Sequence, residues 1–102
     1  MDYILVLQWG AGEGMTLERL VCCENAIMAL LENTAEVDGH DWSASEMNIF
    51  VLTENPTATF DQITQMLQET GVYDSMRAAF RHTDTEDYTI LAPPGLTVFA
   101  VS

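Results

Sequence analysis

The chain has 102 residues, of which 48% are hydrophobic and 19% charged; this length suits one core, and the composition excludes a disordered or fibrous chain. Sixteen Asp and Glu stand against only Arg19, Arg77 and Arg81, with no lysine, for a formal charge of −13. That balance excludes a direct grip on nucleic-acid phosphates and docking on an anionic membrane surface; it either only keeps the protein soluble or serves the recognition of a basic partner.

The chain opens with Asp2 and a short apolar run, without the cationic stretch of a secretory leader. No apolar stretch approaches the roughly twenty residues of a membrane helix. The cytoplasm is the expected compartment. Cys22 and Cys23 are adjacent within a predicted helix, where neighbouring side chains diverge by about 100° and a bridge would be strained, so both are read as free thiols.

Asp2 to Trp9 (DYILVLQW) reads as a strand with both faces apolar, hence central in its sheet. Gly10, Gly12 and Gly14 follow as a loop. The spacing misses G-x-G-x-x-G by one residue, the P-loop lysine is absent, and Glu13 would repel a phosphate, so the loop reads as a plain connection.

Thr16 is a suitable N-cap for a helix reaching about Asn33, with Leu17, Leu20, Val21, Ile27, Met28 and Leu31 on one stripe. Glu24 falls on that stripe and calls for a partner such as Arg77 or Arg81. A hairpin is expected next. Its first strand is Glu36 to Trp42, with turn formers Asp38 and Gly39, its loop Ser43 to Ser45, and its second strand Met47 to Thr53, apolar enough to lie beside the first strand of the chain.

Asn55 and Pro56 start a second helix as cap and first helical residue, Phe60, Ile63, Met66 and Leu67 mark its buried face, and Gly71 stops it. Met76 to Thr83 reads as a strand, Asp84 to Asp87 as a turn and Tyr88 to Leu91 as a further strand, before Pro93-Pro94-Gly95 and an apolar tail from Leu96 to Val101. The order of elements predicts one α+β domain over 1–102: a ferredoxin-like split βαβ sandwich, with an antiparallel sheet of four to five strands and two helices on one face. The other face is left for solvent, a ligand or a second copy.

Few constellations carry chemistry. Asp38, His40 and Asp41 concentrate carboxylates and an imidazole in one hairpin, and His82, Asp84, Glu86 and Asp87 do so in another. A metal needs three or four converging ligands, however, and strand alternation sends His40 and Asp41 to opposite faces, so neither a metal nor another cofactor is expected. His82 lies beside Arg81 on a strand that also carries Phe80 and reads as a structural or surface residue, and mid-helix cysteines lack the thiolate-stabilising setting a nucleophile needs. No catalytic residue is assigned. Trp9 and Trp42, near loops, would each close one end of the core or, as the alternative, line a ligand or partner surface with Asp38, His40, Asp41 and Glu46 as its polar rim.

The string Asp38-Gly39-His40-Asp41, then Ser45 to Phe50, Thr53, Asn55-Pro56, Phe60 and Asp87 to Leu91 with Pro93, resembles small bacterial proteins for which no activity is established. The resemblance covers nearly the whole chain. It implies a bacterial ferredoxin-like domain and carries no catalytic or cofactor residue with it.

Two functional expectations follow, beside a third, a structural module of a larger assembly, which the sequence does not separate from the first. The first is a non-catalytic binding protein whose acidic surface docks on a basic partner, in the manner of an immunity or inhibitor protein that neutralises a cationic toxin. The second is a homodimer that binds or converts a small molecule on its open sheet face, near Trp9, Trp42 and His40.

Overall fold

A computed structural model describes residues 2–10, 15–69, 71 and 73–101. The expected glycine loop lies, beyond Gly10, outside the described residues. Five strands form one antiparallel sheet: β1 (Tyr3–Gly10), β2 (Ala35–Trp42), β3 (Glu46–Thr53), β4 (Arg77–His82) and β5 (Thr89–Ala92), in the order β2-β3-β1-β4-β5. Helix α1 (Leu17–Leu30) joins β1 to β2 across β3, and α2 (Pro56–Gln68) joins β3 to β4 across β1. A turn of 3-10 helix, Tyr73–Ser75, precedes β4.

β1 holds the central place its apolar sequence requires, with Leu5, Val6, Leu7 and Trp9 fully buried. Direct cross-strand partners share a face. Leu5, Leu7 and Trp9 therefore share one with Val51, Ile49 and Met47 of β3, and this face forms the core with Leu20, Cys23, Ile27 and Leu31 from α1 and Phe60, Ile63 and Leu67 from α2. Both helices bury against it. Val6 and Gln8 point the other way, toward a face that neither helix supplies.

The caps follow the sequence. Thr16 accepts from the Arg19 amide at 3.2 Å and Asn55 from the Ala58 amide at 3.2 Å, with Pro56 opening α2. Thr53 and Thr59 share a buried 2.7 Å hydroxyl contact that fastens the end of β3 to the first turns of α2. Helix α1 departs from expectation in two ways. It ends at Leu30, with the Leu31 amide still donating to Ile27, and its buried stripe is Leu20, Cys23, Ile27 and Leu31. Leu17 and Met28 lie exposed beside it, because a helix packed on a flat sheet hides only the narrow row of residues over its contact line.

Asp38 and Gly39 do not turn the chain. They form a β-bulge inside β2, where the register passes from Val37↔Val51 to Gly39↔Phe50. Gly39 has φ = 141°, a conformation that strains any residue with a Cβ. The reversal falls at 43–46, at the expected Ser43 to Ser45 loop, where Ser43 donates its amide to the Glu46 carbonyl at 2.9 Å and its hydroxyl accepts from the Ser45 and Glu46 amides.

Candidate functional site

The bulge decides where the hairpin's polar residues go. Without it, Val37, Gly39 and Asp41 would share the helix-covered face, by the two-residue period of a strand. With Asp38 inserted, His40 pairs with Ile49 and Trp42 with Met47 on the helix side, while Asp41 pairs with Asn48 on the open side. His40 and Asp41 do point to opposite faces. Trp9 lies in the same cross-strand row as Met47 and Trp42, yet Trp9 is fully buried in the core whereas Trp42, on the edge strand, is 55% exposed.

His40 meets α1, its Nδ1 lying 3.0 and 3.1 Å from the two Glu24 carboxylate oxygens. This replaces the expected partner of Glu24. Arg77 and Arg81 occupy β4 opposite Gln8 and Ile4, on the open face and beyond two strands from β2. Arg81 donates through Nη1 to the carbonyls of His82, Thr83 and Thr85 and lies 5.9 Å from the Tyr88 ring centroid.

Strand β2 is thus an eight-residue sheet edge on which Glu36, Asp38, His40, Asp41 and Trp42 are exposed, with no arginine on it. The second polar hairpin stands apart: His82 accepts from the Asp84 amide at 3.1 Å and packs edge-on against Tyr3. As β2 and β4 are separated by β3 and β1, about 14 Å of sheet divides the two groups. Among the described residues no cluster of three or more His, Cys, Asp or Glu could hold a metal ion.

Glu46, expected at a binding rim, belongs to a polar row on the open face. Its Oε2 accepts from Gln8 Nε2 at 3.1 Å and from Asn48 Nδ2 at 2.9 Å. Gln8 Nε2 also donates to Asn48 Oδ1 at 3.1 Å, and its Oε1 accepts from Arg77 Nε at 3.1 Å. Asn48 is fully buried here. Gln8 was not singled out in the sequence, although it, like Asn48, is the polar interruption of an apolar strand. A buried amide survives in such a place only when hydrogen-bonded.

The C-terminal segment crosses this face. The Ala100 carbonyl accepts from Gln8 Nε2 at 2.9 Å, and the Phe99 ring packs edge-on against Tyr88 with centroids 4.9 Å apart.

A cavity of about 300 Å³ lies elsewhere, between the helices, lined by Glu18, Arg19, Cys22, Cys23, Ala26, Met66 and Leu67. Cys22 is exposed and Cys23 buried, both as free thiols. Burial pushes the Cys23 thiol up, reinforced by neighbouring Cys22 and opposed by Arg19. A raised value disfavours the thiolate, so Cys23 is poorly suited to nucleophilic attack.

No helix is long and apolar enough to cross a membrane among the described residues. No family model matches the chain, and no curated protein or solved structure shows significant similarity to it.

Proposed function

We propose that this protein is a non-catalytic binding protein, immunity-like or inhibitor-like, that docks through its β2 edge on a basic partner. The observation that carries the reading is the edge strand itself, which presents Glu36, Asp38 and Asp41 to solvent on a long free margin of the sheet. An edge strand offers backbone donors and acceptors to an added strand. Carboxylates on that margin repel a second copy of the same edge and attract a cationic one. The charge of −13 extends this selection to the whole surface and speeds encounter.

The strand order β2-β3-β1-β4, with each helical crossover passing over one strand, supports a ferredoxin-like reading of the domain, to which β5 is an addition. The two free thiols fit a reducing compartment such as the cytoplasm. The alternative, a small-molecule-binding or enzymatic homodimer built on the open sheet face, is supported less well. The polar row on that face is hydrogen-bonded within itself, and the chain's own tail lies over it.

An alternating Lys-Val peptide tests the docking. It should bind the protein at low salt and weaken steeply as salt rises. The variant E36K/D38K/D41K should abolish binding, while D61K/E69K/D84K, an equal charge change at exposed sites elsewhere, should leave most of it. Equal losses in the two variants would reduce the interaction to net charge and refute a specific edge.

A further inference from the structure

The open face of the sheet holds residues buried without help from either helix. Val6, Asn48 and Ala79 have no exposed surface, and Gln8 retains 5%. Val6 pairs with Ala79, Ala79 with Ile90, and Gln8 with Asn48 and Arg77, which places them together on this face. The chain reaches it a second time after β5. The Leu96 amide donates to the Pro93 carbonyl at 3.2 Å in a turn through Pro94 and Gly95, and the segment then doubles back over the sheet. Among the described residues it forms no ladder with any strand.

Its hold is local and of a recognisable kind. Leu96, Phe99 and Val101 are half-buried, whereas Thr97, Val98 and Ala100 are exposed, Val98 at 75%. The Phe99 ring lies on Tyr88, which in turn lies under Arg81. One residue further, the Ala100 carbonyl takes a hydrogen from Gln8, whose amide is fixed by Asn48, Glu46 and Arg77. An aromatic anchor beside a preorganised side-chain amide that receives a main-chain carbonyl is how extended peptides are bound, and nothing in it depends on the peptide being covalently attached.

We propose that the open sheet face is a peptide-docking groove that the C-terminal segment fills in cis, and that the same segment of a second copy can fill it in trans. The occupant is set by the segment seated there: a half-buried Leu-x-x-Phe-x-Val pattern with a main-chain carbonyl at the Ala100 position. The tether favours cis docking, because a short flexible linker holds the tail at an effective concentration on the order of millimolar. Exchange in trans follows when the cis tail is weakened or cannot fold back. This surface adjoins the β2 edge, where Asp41 pairs with Asn48, but the tail peptide probes the groove and the Lys-Val peptide the edge, so either can fail without the other.

Two measurements on the 102-residue chain test it. In the first, a dye-labelled peptide of residues 95–101 is titrated against the protein and followed by fluorescence anisotropy. The F99A protein, whose own tail has lost its anchor, should bind the peptide about tenfold more tightly than the unaltered protein, and a peptide carrying the same Phe-to-Ala change should lose binding by a similar factor. Equal weak affinity of both proteins would overturn the proposal. In the second, deletion of Pro94 and Gly95 removes the turn that returns the tail, and light scattering on the eluted protein should report a dimer. A monomer would overturn exchange in trans, and this result stands even if F99A fails to fold.

Discussion

Asn48 illustrates how much one side chain can hold on a sheet face without helices. Its Oδ1 takes a hydrogen from Gln8 and its Nδ2 gives one to Glu46, at full burial. Asn48→Ala removes both and empties their buried place, leaving the Glu46 carboxylate one donor short, while Gln8 Nε2 keeps Glu46 and the Ala100 carbonyl for its two hydrogens. The expected loss is about 1–3 kcal/mol in urea unfolding, and a loss below about 0.5 kcal/mol would mean that the row is not structural. The cysteines give a second test. Iodoacetamide should label exposed Cys22 first and Cys23 much later, since Cys23 is buried and its thiol is pushed above the ordinary 9.0. In the unfolded chain that proton leaves near its ordinary value while the fold retains it. The contribution to stability is therefore present below pH 9.0 and declines as pH rises above it. C23A should flatten that decline, and an unchanged alkaline profile would count against the buried thiol as its source.

At the scale of elements, the bulge in β2 has the widest reach. It turns His40 toward Glu24 of α1 and Asp41 toward the open face, and it depends on Gly39 at φ = 141°. No atom lies within 4 Å of a Cβ built there, so the cost of replacing the glycine is conformational rather than steric. Gly39→Val should destabilise the protein by about 1–3 kcal/mol and, if the bulge is lost, break the His40–Glu24 contact. A full-stability variant with that contact intact would show the bulge to be dispensable. Strands, helices and caps were legible because Thr16, Asn55-Pro56 and the apolar runs of β1 and β3 state them locally. Asp38 and Gly39 stand out in the sequence as turn formers within a strand, but that they form a bulge does not, since a bulge and a turn draw on the same residue types and only the register separates them. The partner of Glu24 was equally out of reach, because the sequence supplies three arginines and two histidines without saying which face of the sheet each will occupy.

For the whole molecule, the acidic excess was plain in the composition, but its placement was not. Of the rim residues expected from the sequence, the fold leaves Asp38, Asp41 and Trp42 exposed on the β2 edge, ties His40 to α1, draws Glu46 into the open-face row and closes the core with Trp9. One cluster read along the chain becomes four environments, since strand alternation, the bulge and the sheet order divide it. The specific arrangement left at the edge, three carboxylates on an eight-residue margin, is what the binding proposal rests on. It is tested most directly by amide chemical-shift mapping of the isotope-labelled protein against the alternating Lys-Val peptide at low salt. Shifts concentrated in residues 35–42, with slowed amide exchange along β2, are the expected result, and shifts scattered evenly over Asp61, Glu69 and Asp84 as well would contradict a docking edge.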